Sequence, residues 1–169
     1  IFNCVNFMKS YTMPPEEFSQ ITLKAREFGT NLVYVVDSAG GMLPSELEEY
    51  IINIKKKIED FPLGFHGHNN LGLGIANSLR AFELGVNLID VALQGIGRGA
   101  GNASIEQFVC TLIRKGVDLD LDPIKIMDIS ENYFDLLSRN TRVDSIDTIS
   151  GLSLFHSSYM NIIAKYAKK

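Results

Sequence analysis

The chain has 169 residues, 46% of them hydrophobic and 21% charged, with a formal net charge of −4 and three histidines. That length accommodates one domain with a sizeable core, or one domain and a small appendage, and the acidic balance gives no electrostatic support to nucleic-acid or anionic-membrane binding. No apolar run approaches the roughly 18 residues of a membrane span and no signal-peptide pattern is visible, so the expected location is cytoplasmic.

The first run, "IFNCVNFM", reads as a strand; it is already apolar and lacks an initiator Met, as if part of something longer. "MPPEEFSQITLKAREFG" predicts a helix over 14–28, with prolines at its start and Gly29 as its stop. "NLVYVVDS" is a strand apolar along nearly its whole length, as expected when both faces are buried. A second helix is predicted over 44–60; its "IKKKIED" run mixes signs and reads as a solvated face. "FPLGFHGH" is bounded by Pro62 and too short for a helix, hence a third buried strand. "NNLGLGIANSLRAFELG" predicts a helix over 70–85. The fourth unit comprises "NLIDVALQG", the glycine loop "IGRGAGNAS" and a helix over 103–115. Cys4 and Cys110, in apolar segments, read as buried free thiols of a reducing compartment.

Four successive βα units imply parallel strands joined by right-handed crossovers, with the helices on one side. A doubly wound sheet and a section of a barrel both satisfy this, and both gather chemistry at the C-terminal strand ends. Asp37, Ser38, His66, His68 and Gln94 all fall at such ends, and polar residues at several successive ends favour the barrel. A complete barrel takes about 250 residues, so residues 1–117 are expected to form half of a (β/α)8 TIM barrel. Residues 118–169 change to helices without strands, a small helical appendage in which the polar hinge "SRNTRVDSIDTISG" separates two helical stretches.

His66 and His68 stand two apart on a strand and so project from one face, while Gly67 leaves the other face uncrowded. Two neutral imidazoles there make half of a divalent-cation site, to be completed by carboxylate or water; a hydrogen-bonded histidine pair at a strand end is the alternative. "GIGRGAG" has neither the phosphate-loop spacing nor the dinucleotide fingerprint. Its glycines are expected to let the backbone turn sharply above the barrel and approach a ligand closely.

The stretches "VYVVDSAGGMLPSEL", "GFHGHNNLGLGIANSL" and "GIGRGAGNASIEQFV" resemble the metal-dependent lyase and aldolase barrels that include 4-hydroxy-2-oxovalerate aldolase, hydroxymethylglutaryl-CoA lyase and isopropylmalate synthase. The tail "IMDISENYFDLLSRNTRVDSIDTISGLSLFHSSYMNIIAKYA" is similar to the helical communication domain of the 4-hydroxy-2-oxovalerate aldolases. The resemblance covers the C-terminal half of that family, strands five to eight and the helical domain. It implies a retro-aldol cleavage of a 4-hydroxy-2-oxo acid to pyruvate and an aldehyde. His66 and His68 match the family's histidine ligands of a divalent metal, expected to be Mn2+ with Mg2+ or Co2+ as alternatives, and Ser38 matches a residue that binds the small 2-oxo acid substrate. The family's third ligand, an aspartate on the first strand beside an arginine and a histidine base, has no counterpart here; Asp37 matches a different position. The metal is therefore expected to be weakly bound or absent in these 169 residues alone, and the fragment alone inactive. His156 stands where the aldolases carry a tyrosine that reaches the active site, and is the catalytic candidate of the tail. The implied partners are an acylating aldehyde dehydrogenase, through the C-terminal helices, and further copies of the chain. An acyl-CoA lyase or Claisen-type synthase of the same superfamily, and a non-catalytic binding or assembly module, are the alternative functions.

Overall fold

Each apolar run and the amphipathic segment behind it fold as one βα unit, and the units succeed one another without interruption. The computed structural model of the protein describes residues 2–134 and 145–167. Its strands are β1 (Cys4–Phe7), β2 (Leu32–Asp37), β3 (Leu63–Gly67) and β4 (Leu88–Asp90), which form one parallel sheet in the order β1-β2-β3-β4. A doubly wound sheet reverses its strand order at a switch point. Here the order runs in one direction only, as in a barrel section.

The intervening helices are α1 (Pro15–Glu27), α2 (Pro44–Lys57), α3 (Gly74–Glu83) and α4 (Ile105–Lys115), within four residues of the expected spans. Proline opens α1 and α2, where its missing N–H is no loss. The Ser104 side chain caps α4 and Gly116 closes it in the left-handed conformation. α3 starts later than its periodicity suggests because the Asn69 side chain accepts a hydrogen bond from the Gly74 N–H at 3.0 Å, leaving 69–73 as a loop. The "IKKKIED" lysines are not simply solvated: Lys57 pairs with Glu16 at 2.7 Å, and Lys55 donates to the Leu84 carbonyl at 2.6 Å.

The sheet has two chemically different faces. Val33, Val35, Leu63 and Phe65 turn toward the helices and pack with Phe18, Leu47, Tyr50, Ile51, Ile54 and Ala81. Phe18 stacks edge-on against Phe7 and Tyr50 at 5.2 and 5.5 Å between centroids. Burying a ring such as Phe65 contributes on the order of 2 kcal/mol. The parallel register sets Asn6, Tyr34, Gly64 and Leu88 in one row of the opposite face, and Val36, His66 and Asp90 in the next. This is the face that would line a barrel. Cys4 lies on it in an edge strand and is exposed, while Cys110 is half-buried, so the expectation of two buried thiols fails for lack of a neighbouring strand over Cys4.

Three further helices follow: α5 (Pro123–Phe134), α6 (Ser145–Leu152) and α7 (Met160–Ala167). α5 is joined to the glycine-loop turn, the Gln94 side chain donating to the Ser130 carbonyl at 3.2 Å. α6 lies across the C-terminal strand ends. The Asn70 amide donates to the Asp147 carbonyl at 3.0 Å and the Ser150 hydroxyl at 2.6 Å, and a Cβ on Gly41 would collide with the Gly151 carbonyl. Part of the expected hinge, residues 145–151, is thus helix: Ile146, Ile149 and Leu152 recur at helical spacing within it, while residues 138–144 of that stretch lie outside the described residues. Among the described residues no helix is long and apolar enough to cross a membrane.

Candidate metal centre

His66 projects from the barrel-lining face of β3, between Val36 and Asp90 in the register. His68 follows the strand, its N–H donating to the Asp37 carbonyl at 3.1 Å. The two rings meet edge to face, 5.3 Å between centroids. Their tautomers follow from their partners. His66 Nδ1 lies 3.1 Å from Asp90 Oδ2, and an ionised carboxylate only accepts, so the proton is on Nδ1. His68 Nδ1 lies 3.3 Å from the Arg98 carbonyl, which also only accepts. In the neutral form of each ring the lone pair is then on Nε2.

Protonation states agree with this. The hydrogen bond from His66 holds the Asp90 carboxyl below the usual carboxylate range, with a further contribution from Tyr34, whose hydroxyl donates to Asp90 Oδ1 at 2.9 Å. Burial pushes His68 down to about 4, helped by the neighbouring His66. His68 is thus neutral near pH 7, the form in which imidazole binds a metal. Two oriented imidazoles with free Nε2 lone pairs, one backed by a carboxylate and one by a carbonyl, have the arrangement that supports metal-ligating histidines elsewhere. The chemistry of these two donors fits a divalent ion. Among the described residues no group of three or more His, Cys, Asp or Glu could hold a metal.

Ser38 is buried and its Oγ accepts from the Lys9 N–H at 3.0 Å, bridging the ends of β1 and β2. Asp37 turns to the helix side: its carboxylate accepts from the N–H groups of Gly41 and Met42 at 3.2 and 3.0 Å and closes the β2–α2 turn. Gln94 is committed to Ser130 and sits in a left-handed turn with φ 50°. The glycine loop folds back on itself, since Gly101 has φ 90° and a Cβ there would run into the Gly95 carbonyl.

His156 is buried, 7% exposed, with Nε2 at 3.0 Å from an Arg98 guanidinium nitrogen. Its Nδ1 lies 2.7 Å from the Ser158 hydroxyl and 3.0 Å from the Ser158 backbone nitrogen. Arg98 thereby connects the histidine of the tail to His68, one through its side chain and the other through its carbonyl. On the far edge of the sheet the Lys9 ammonium donates to the Tyr159 hydroxyl at 2.8 Å and lies 4.5 Å from that ring's centroid.

Sequence reasoning passed over Asp90, Arg98, Lys9 and Tyr159. Asp90 sits inside "NLIDVAL", where alternation places it on the same face as His66; that was the available signal. Lys9 meets Tyr159, and Arg98 meets His156, only through the tertiary fold.

A parallel α/β barrel section with paired histidines at its strand ends defines a class, and residues 4–132 match the HMGL-like family: the chain belongs to that family. Within it, the chain is similar to proteins named 4-hydroxy-2-oxovalerate aldolase. It is 37% identical over 154 residues to one from Geobacillus genomosp. 3, covering 90% of this chain and 45% of that protein. To one from Desulfitobacterium hafniense it is 38% identical over 149 residues, 88% of this chain and 44% of that protein. The chain thus spans under half the length of these curated relatives. A solved N-terminal domain from Bacteroides vulgatus, provisionally described as an aldolase, superimposes with a TM-score of 0.78 at 29% identity, over 96% of this chain and 54% of that one. A Bacillus subtilis HMG-CoA lyase shares the fold, with a TM-score of 0.71 at 20% identity over 83% of this chain and 53% of that one.

Proposed function

We propose that this chain is the metal-binding half of a divalent-metal-dependent aldolase that cleaves a 4-hydroxy-2-oxo acid to pyruvate and an aldehyde. The observation that supports this most is the pair of imidazoles of His66 and His68, on the barrel-lining side with Nδ1 of each held by an oxygen acceptor. In this reading the remaining strands, the third, anionic ligand and the catalytic base come from outside these 169 residues. Residues 1–117 then make a half barrel and residues 118–169 a helical domain over its mouth.

His66 and His68 would hold the ion, with Mn2+ the expected metal. When bound, it would supply Lewis acidity to the 2-oxo acid. The chain's own residues do the rest. Asp90 and the Arg98 carbonyl hold the imidazoles in their ligating tautomers. The Ser38 oxygen accepts from the Lys9 backbone, which leaves its hydroxyl proton to donate to a substrate carboxylate. α6, gripped by Asn70, covers the strand ends and reduces water access. His156 stands at the edge of this space, oriented by Ser158.

The proposal extends to partners. Exposed Ile146, Ile149 and Leu152 on α6 and Ile162, Ile163 and Tyr166 on α7 support docking of an acylating aldehyde dehydrogenase on the C-terminal helices. A cytoplasmic location is part of the same reading.

The test is pyruvate release from 4-hydroxy-2-oxovalerate by the full-length protein with Mn2+. We expect metal-dependent turnover that is lost in His66→Ala and His68→Ala. No pyruvate from a folded, Mn2+-supplied protein across a panel of 4-hydroxy-2-oxo acids would overturn the reading.

A further inference from the structure

We propose that His156 is a positioning residue: it anchors the Arg98 side chain and so holds in place the Arg98 carbonyl that orients His68, tying the seat of the C-terminal helices to the metal centre. This rests on the reading of His66 and His68 as metal ligands and not on the identity of the substrate.

Arg98 faces two ways. Its carbonyl lies 3.3 Å from His68 Nδ1, and one of its guanidinium nitrogens stands 3.0 Å from His156 Nε2. A guanidinium only donates, so Nε2 is the acceptor and the proton of the neutral His156 ring is on Nδ1. That proton meets the Ser158 hydroxyl at 2.7 Å. Both ring nitrogens are engaged, and a ring whose basic nitrogen already accepts from a guanidinium serves as an anchor rather than as a proton carrier. Burial, then the charges of Arg98 and Lys9, push this imidazole down from its ordinary range, which keeps it the neutral acceptor that the contact requires.

The loop that carries Arg98 makes the anchor matter. Its far end is tied to the segment of the metal ligands: the Asn69 N–H donates to the Gly101 carbonyl at 2.9 Å and the Ala103 N–H to the Gly67 carbonyl at 3.3 Å. Its near end has glycine on both sides of Arg98, with Gly99 at φ 60°, and glycine leaves a backbone more conformational freedom than other residues. Among the described residues the main chain of 97–99 makes one backbone hydrogen bond, accepted by the Arg98 carbonyl from the Gly101 N–H at 3.0 Å. The contact with His68 is already at the long end of the hydrogen-bond range, so a drift of about 0.3 Å in this peptide would lose it. The Arg98 side chain supplies a second restraint because its anchor is itself seated. Three residues beyond His156, the Tyr159 hydroxyl accepts from the Lys9 ammonium at 2.8 Å, and α6 is gripped by Asn70. The Asp147 carboxylate of α6 stands beside Gly99, 3.3 Å from where a Cβ there would lie, so the tail meets this loop at a second point. His66 is the internal control, since its Nδ1 is held by Asp90 on β4 in a contact that does not pass through the tail.

Calorimetric titration of the full-length protein with Mn2+ tests the link, together with ring-nitrogen NMR shifts of isotope-labelled histidines in the metal-free protein. We expect His156→Leu and Arg98→Ala each to weaken Mn2+ binding about tenfold, the lower end for loss of a ligand's support. The double variant should be no weaker than either single one, because both cut the same link. His156→Gln, whose side-chain oxygen accepts from Arg98 as Nε2 does, should stay within about threefold of the wild type. In the metal-free single variants the His68 shifts should move from one fixed tautomer toward a mixture of the two while those of His66 stay put, a pattern that general loosening of the fold would not produce. Unchanged affinity with unchanged His68 shifts, additive losses in the double variant, or equal changes at both histidines overturn the proposal. Should His156→Leu fail to fold by circular dichroism, Arg98→Ala, which leaves the tail's own residues intact, decides in its place. If the wild type does not bind Mn2+, the metal reading fails separately and the shifts alone decide the link: a change confined to His68 supports it, and no change overturns it.

Discussion

At the residue scale the proposed centre depends on two groups that would touch no metal. Asp90 holds His66 and is itself held by Tyr34, so Asp90→Asn should leave the fold intact while reducing Mn2+ affinity of the full-length protein by about 10- to 100-fold, the usual effect of removing such a support; calorimetric titration checks it. His68 makes a prediction about pH. Its folded pKa of about 4 lies below the ordinary 6.5, so on acidification the unfolded chain takes up the proton first. Stability of the metal-free protein should therefore be complete above about pH 6.5, fall as the pH drops toward 4, and level off below. The total loss is on the order of 3 kcal/mol. Urea unfolding midpoints at pH 7 and pH 5 measure the slope, and His68→Gln should flatten it.

Among the elements, α6 and the β2–α2 turn fit so closely that Gly41 leaves no room for a side chain. Gly41→Ala should displace the helix and destabilise the fold by about 1–3 kcal/mol, an overpacking cost. Faster proteolysis of the C-terminal helices with an unchanged barrel-section circular dichroism signal is the expected signature. Phe18→Ala, which deletes the ring between Phe7 and Tyr50, should cost about 3–5 kcal/mol in thermal or urea unfolding. These contacts also explain what the sequence made legible. "NLVYVVDS" and "FPLGFHGH" are read correctly because burial on both faces leaves an apolar run, and the His-x-His face follows from strand geometry alone. β4 keeps only three strand residues before Gln94 turns left-handed, too few for Asp90's alternation to stand out. α6 was hidden because "DSIDTISG" is polar on the face that Asn70 grips, and composition records that face as hinge. The contacts Lys9–Tyr159 and Arg98–His156 join residues far apart in the chain, and no local pattern announces either of them.

For the whole molecule, the outer edges of β1 and β4 have no strand partner among the described residues, and one face of the sheet carries the interior of a barrel. Open parallel edges and exposed apolar surface favour further pairing. The chain on its own should therefore self-associate at micromolar concentration, as measured by light scattering, and co-expression with the N-terminal half of an HMGL-like barrel should convert the aggregate into a defined species. A stable monomer would mean that the edges are covered in another way. The segment from His66 to Leu71 lies at the centre of this molecule and serves two masters. His66 and His68 face the site, Asn69 caps α3, and Asn70 holds α6 two residues beyond His68. A substitution that shifts the backbone to suit one of these neighbours moves the others with it, so effects in this stretch should be epistatic rather than additive. Variants that retune the metal centre are then expected to come in pairs, the second change lying not beside the metal but in α6, where it restores the grip that the first one loosened.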